Sequence, residues 1–335
     1  MFYRAIHRFK LGGLCALIAA TALLSACGGQ KEHATPAAAA SAAPATITSA
    51  IAVPNLVDVI KADSRFSILS EAVVAADLAG ALSGPGPLTL FAPTNDAFAL
   101  LLAELNVSKV QLLADKALLT SVLSYHVLPA KVAKADVPVG KAITTLQVGI
   151  FKIDSVGSDL VVTDGRNRTA RITQTDVTAS NGLLHVVDKV LLPANKTLVE
   201  TIQAKPELSV LVETINAAGL AGALNAAGPF TLFAPTNDAF AALFAELKIT
   251  KSQMLANPAL ITTVLNYHLL SSRVLKAEVP VGSPIKSVQG STFVIDAGFV
   301  ITDQLGRKAR ITATDLLASN GVIHVIDKVI SPPTR

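Results

Sequence analysis

Thr89-Leu90-Phe91-Ala92-Pro93-Thr94-Asn95-Asp96-Ala97-Phe98 occurs a second time, unchanged, as Thr231 to Phe240. The same 142-residue offset relates Tyr125-His126 to Tyr267-His268, and Val137-Pro138-Val139-Gly140 to Val279 through Gly282. Further on the offset falls to 139: Arg171-Ile172-Thr173 returns as Arg310-Ile311-Thr312, and Asn181-Gly182 with His185 returns as Asn320-Gly321 with His324. Such self-similarity marks one folding unit used twice. The copies are placed at residues 53–193 and 197–331, each long enough to bury an independent core.

The quoted run changes period in its middle. Thr89 to Ala92 is a short β-rich stretch stopped by Pro93. Thr94 is a helix N-cap, with Asp96 in the first turn, where the helix dipole favours a negative charge. Phe98, Leu101, Leu102 and Leu105 follow at helical spacing. Before it, Leu56, Val57 and Ile60 suit one face of a helix. After it, Leu118, Leu119, Val122 and Leu123 form a helical face leading into Tyr125-His126. In the second copy Asn257-Pro258 opens the matching helix with a cap residue and a proline at the first turn. Over Val148 to Val162 and Ala170 to Thr173 apolar and polar residues alternate, and Asn181-Gly182 between two apolar runs predicts a β-hairpin. Helices first and strands afterwards give an α+β layout, not alternating βαβ units.

The amino end has a different character. Arg4, Arg8 and Lys10 precede an apolar run, Leu11 to Leu24, that is short for a bilayer span of roughly 20 residues and suited to an export signal. Leu24-Ser25-Ala26-Cys27-Gly28 resembles the bacterial lipobox. That resemblance implies removal of residues 1–26 and lipid on the Cys27 thiol. Residues 27–52, rich in Ala and Pro, are expected to form a tether. Cys15 leaves with the signal, so Cys27 is the last cysteine and no disulfide framework is possible. The signal also carries three basic residues and no acidic ones. The mature chain therefore holds 25 Lys and Arg (28 less three) against 24 Asp and Glu, which removes the hint of a nucleic-acid binder in the +4 charge of the whole chain.

Taken in order, Thr-Leu-Phe-Ala-Pro-Thr-Asn-Asp-Ala-Phe, Tyr-His, and Asn320-Gly321-Val322-Ile323-His324-Val325-Ile326-Asp327-Lys328-Val329 resemble the three blocks of the fasciclin (FAS1) domain, and both copies carry them. The resemblance implies two tandem domains, each a wedge-shaped β-sandwich flanked by helices. It also implies extracellular adhesion or matrix attachment. In animal members two regions are associated with integrin binding. They fall here on Tyr125, His126, Tyr267 and His268, and on Asp176 and Asp315. The stretches around the aspartates, Gln174-Thr175-Asp176-Val177-Thr178 and Ala313-Thr314-Asp315-Leu316-Leu317, keep the Asp and a following aliphatic residue but lack the Glu-Pro and Met of the animal motif.

These six residues are the candidate interaction sites, set against a packing reading. Tyr-His at a helix end, and His185 or His324 in a Val/Ile-rich strand, also suit buried hydrogen-bonding groups. A metal centre would need three or four ligands, and no His-x-x-x-His or cysteine partner exists; no catalytic residue, metal or cofactor is assigned. The expected function is that of a non-enzymatic surface lipoprotein in the cell envelope, with the outer membrane favoured because Gly28 is not the Asp that retains some lipoproteins at the inner membrane. Its partners would be the membrane, through the N-terminal lipid, and a protein or matrix component. The alternative is a periplasmic or surface carrier for a small apolar ligand such as a lipid or carotenoid, a ligand class the fasciclin resemblance implies. Part of the abundant Leu, Val and Ala would then line a groove in a chain that is 51% hydrophobic; the 4% aromatic content argues against a carbohydrate binder.

Overall fold

The computed structural model describes residues 53–333. The signal, Cys27 and the tether lie outside the described residues.

The first copy opens with helices α1 (Leu56–Ala62), α2 (Ser67–Ala75) and α3 (Ala79–Ser83), followed by strand β1 (Leu88–Pro93). Helices α4 (Asn95–Leu105), α5 (Lys109–Ala114) and α6 (Lys116–Tyr125) come next. Strands β2 (Val127–Leu128), β3 (Ala142–Thr144), β4 (Ile150–Val156), β5 (Asp159–Thr163), β6 (Thr169–Ala179) and β7 (Gly182–Val187) complete it. The second copy repeats this order. Its helices are α7 (Leu198–Gln203), α8 (Ser209–Ala217), α9 (Ala221–Leu224), α10 (Asn237–Leu247), α11 (Lys251–Leu255) and α12 (Pro258–Tyr267). Its strands are β8 (Phe230–Pro235), β9 (Leu269–Leu270), β10 (Pro284–Lys286), β11 (Thr292–Ile295), β12 (Val300–Thr302), β13 (Lys308–Ala318) and β14 (Gly321–Ile326).

Local chemistry accounts for the boundaries. Thr94 Oγ1 accepts from Ala97 N, and Thr236 Oγ1 from Ala239 N, so both copies of the Pro-Thr-Asn-Asp run start a helix as the sequence indicates. Asn257 Oδ1 accepts from Leu260 N in the same role. The Asn95 side chain does more than begin a helix. Its amide bridges Ile68 N and Ser64 O and ties the start of α4 to α2.

Each copy forms one hydrogen-bonded sheet of seven strands, ordered β2-β1-β7-β6-β5-β4-β3 in the first and likewise in the second. All pairings are antiparallel except β1 with β7 and β8 with β14. The long strands β6 and β13 belong to both halves of their sheets and carry register shifts in the middle. Such bulges bend a strand and sharpen its twist, which turns one sheet into the two leaves of the wedge.

The central strands bury both faces, and period two sorts their side chains into two cores. Leu90 and Ala92 of β1, with Leu184 and Val186 of β7, face the helices and meet Phe66, Leu69, Phe98 and Leu119. Phe91 and Val187 face the other way, into a cluster with Tyr125, Phe151, Ile153 and Val162. The second copy divides in the same manner.

The hairpin at Asn181-Gly182 forms, but not for the turn chemistry the dipeptide suggests. Ala179 pairs with Gly182, so the two loop residues are Ser180 and Asn181. Gly182 lies in the strand, where a Cβ would stand 2.1 Å from Leu88 O. Glycine is required there by close backbone approach. Asn181 serves the helical side, accepting from Leu56 N and donating to Leu82 O and Gly84 O.

The two copies meet along β4 and the turn after β5 on one side, and the β13 bulge on the other. Ile150, Leu275, Leu317 and Val322 form an apolar patch with Ala142 packed on it. Asn167 donates to Leu317 O and accepts from Leu317 N, reading the strand as a neighbouring strand would. Lys152 Nζ lies 2.9 Å from Asp315 Oδ2 and 3.0 Å from Asp154 Oδ2. Burial opposes charge on Lys152, but the two carboxylates outweigh it and hold the ammonium above the ordinary lysine pKa.

Candidate functional site

Tyr125, His126, Tyr267 and His268 are all fully buried at 0% exposure. Tyr125 Oη donates to Ile150 O at 2.5 Å, and Tyr267 Oη to Thr292 O at 2.7 Å. Each phenol thus fastens the end of a helix to a strand of the opposite leaf. Burial raises both phenol pKa values, that of Tyr267 to about 12. His126 Nδ1 donates to Val122 O at 2.7 Å, and its Nε2 accepts from Leu191 N at 2.9 Å. His268 makes the matching bonds to Val264 O and Ile330 N. A ring that donates from one nitrogen and accepts on the other is neutral, and burial lowers both imidazoles to about 4. In this fold the Tyr-His pairs offer no atom to a partner.

The two aspartates have a different geometry. Asp176 and Asp315 occupy the bulges of β6 and β13 with φ of 59° and 60°, a left-handed conformation that Asp tolerates better than most residues. The bulge frees their backbone N–H groups. His185 Nδ1 accepts that of Asp176 at 3.2 Å, and His324 Nδ1 that of Asp315 at 3.3 Å. The opposite ring nitrogens donate to Val132 O and Val274 O, both at 2.9 Å. One carboxylate oxygen is also fixed: Oδ1 accepts from Lys134 N in the first copy and from Lys276 N in the second. Each aspartate is therefore clamped by a histidine behind it and a backbone amide beside it, with Oδ2 left to point elsewhere.

In the second copy Oδ2 takes the Lys152 ammonium of the first, and Asp315 is 4% exposed. In the first copy Asp176 is exposed, and among the described residues its Oδ2 has no hydrogen-bond or ion-pair partner. Around it, Thr178 stands where the second copy has Leu317, and Ala133 where it has Leu275. The first copy thus presents the same clamped carboxylate on a more polar, solvated surface. Sequence reasoning places both aspartates but misses the histidine clamp and the interface. The available signal is the pair of leucines that replace Thr178 and Ala133 in the second copy only.

Among the described residues no group of three or more His, Cys, Asp or Glu is arranged to hold a metal ion, and no helix is long and apolar enough to cross a membrane. A cavity beneath α4 to α6, lined by Phe98, Leu101, Leu119, Val122 and Leu192 among others, measures about 110 Å³. An apolar cavity of about 150 Å³ holds one benzene, so this one is far short of a long-chain lipid.

Residues 64–193 and 206–332 each match the Fasciclin domain family. The chain is 31% identical over 253 residues to transforming growth factor-beta-induced protein ig-h3 of Sus scrofa, an alignment covering 75% of this chain and 35% of that protein. It is 27% identical to human periostin over 81% of this chain and 30% of periostin. Protein sll1483 of Synechocystis sp. is 40% identical over 44% of this chain and 80% of its own length. The chain thus spans about a third of the length of the ig-h3 relatives. Among solved structures, a FAS1 domain pair from the insect cell adhesion molecule Fasciclin I aligns over 82% of this chain and 95% of its own, at 18% identity and a TM-score of 0.40.

Proposed function

This chain belongs to the Fasciclin domain family, and on that footing we propose that it is a non-enzymatic surface lipoprotein mediating adhesion or extracellular protein interaction through its tandem domains. The observation that carries the reading is the pair of clamped aspartates. Asp315 already engages a lysine of a neighbouring fasciclin domain, while its counterpart Asp176 presents the same carboxylate oxygen to solvent. The first domain is suited to take a basic side chain from a protein partner at Asp176. Its polar surroundings suit a contact that forms and releases, since exposed charge pairs contribute little affinity each. The lipobox-like Leu24 to Gly28 supports anchoring of the mature chain at Cys27 in the cell envelope, with the outer membrane favoured and the Ala/Pro-rich stretch as spacer.

The test compares attachment and aggregation of cells carrying the parent protein, Asp176→Asn, or a deletion. Asp176→Asn should reduce attachment while leaving thermal stability unchanged, because Asn accepts the same backbone bond and tolerates positive φ. Attachment unaffected by both Asp176→Asn and the deletion would end the adhesion reading. Cys27→Ala should move the protein from the membrane fraction to the soluble fraction with its domains folded. A variant that stays with the membrane would refute the anchor.

A further inference from the structure

A cleft of about 480 Å³ opens between the two domains, within the size range of small-molecule sites. The first domain lines it with Glu104 and the turn Gly165 to Arg168, the connecting segment with Lys196, and the second domain with Thr201, Lys205 and Leu316 among others. Four cations face one carboxylate. Arg168 is fully engaged, by Asp164, by Glu104 at 2.5 Å and by Val190 O. That bond also occupies Glu104. Arg166 and Lys196 have no ion-pair partner among the described residues, and Lys205 reaches only Glu207, at 3.8 Å.

Arg166 is the least satisfied of these groups. Its Nε is buried and makes no hydrogen bond. Burial, and after it the Arg168 charge, lower its pKa from the ordinary arginine value. A second arginine repeats the pattern. Arg273 Nε is also buried without a partner, and it lines a neighbouring interdomain cavity of about 220 Å³ that shares Leu317 with the first. Gathering unpaired cations in a partly desolvated cleft is unfavourable unless a negative charge joins them. Guanidinium groups match carboxylate and phosphate in geometry as well as charge.

We propose that this cleft binds a small multivalent oxyanion, bearing two or more carboxylate or phosphate groups, held between Arg166 of the first domain, Lys196 of the connecting segment and Lys205 of the second domain. Such a ligand touches both domains and fixes their orientation. The site is single, because the repeat mate of Arg166 is the exposed Leu305. It stands independently of the adhesion reading.

The experiment is titration calorimetry of the full chain with pyrophosphate and, separately, with citrate, at low ionic strength. One saturable site per chain is expected for at least one probe, weakening as salt is added. Binding of only one probe assigns the ligand as a phosphate or a carboxylate. Arg166→Met should weaken binding about tenfold or more, the effect of losing one charge-assisted bond. Lys196→Met should weaken it severalfold. Lys61→Met, at an exposed position of α1 outside the cleft, should leave it unchanged. Lys196 is exposed, so its variant carries the test if Arg166→Met fails to fold. No saturable binding of either probe, two sites per chain, or equal weakening by Lys61→Met would each overturn the proposal.

Discussion

Mild acid should destabilise this protein through His126 and His268. Each ring is neutral in the fold, bonded at both nitrogens and fully buried, with its pKa lowered from 6.5 to about 4 by burial. The unfolded chain therefore takes up these protons at a higher pH than the folded one, so stability is fully present above the unfolded value and falls as pH drops from 6.5 toward 4. Between pH 7 and 5 the unfolded form gains about 0.7 proton per histidine and the folded form almost none. At about 1.4 kcal/mol per pH unit, the loss is about 2 kcal/mol for each histidine. Burial also lowers the pKa of His324, which adds to the loss in the second domain. The assay is guanidinium denaturation at the two pH values, above the range in which ordinary carboxylates titrate. His126→Gln should be less stable at pH 7 yet show a flatter pH dependence. Stability unchanged between pH 7 and 5, or a His126→Gln variant with the full parental slope, would refute the assignment of neutral buried rings.

Three further outcomes follow from named contacts. Tyr267→Phe should cost about 1–3 kcal/mol in denaturant unfolding, since Thr292 O loses its buried donor. Lys152→Met should cost about 3 kcal/mol by stranding Asp315 at the domain interface, and adding Asp315→Asn should recover most of the loss; a double variant no better than the single one would show that the ion pair is not the cause. Gly182→Ala should cost about 3 kcal/mol or more, because the new methyl meets Leu88 O at 2.1 Å and no rotamer relieves it, whereas Gly80→Ala, with open space around it, should leave the thermal midpoint near or above that of the parent.

How much is legible from the chain alone depends on how far apart the interacting groups lie in it. Thr94 and Asn257 announce helix starts because a cap acts on amides two or three residues away. The β6–β7 hairpin is visible too, yet local turn rules credit its glycine to the turn. The true constraint, Leu88, is 94 residues distant and paired in parallel with Gly182. Tyr125 and His126 are open to a packing or a binding reading, and nothing local separates the two. Their bonds run to Ile150 O and Leu191 N, on strands and segments brought together only by the folded sheet.

The repeat, the α+β order and the capped helices follow from short-range rules: periodicity, turn residues and side chains bonding their own backbone. Those rules act identically in both copies. Asp176 and Asp315 sit in equivalent bulges with equivalent histidine clamps, and apart from Leu275 and Leu317 nothing in their sequence surroundings tells them apart. Packing separates them, by setting Lys152 against one and solvent against the other. A lysine 163 residues from its aspartate finds it only when two finished domains meet, and the same meeting encloses the basic cleft around Arg166.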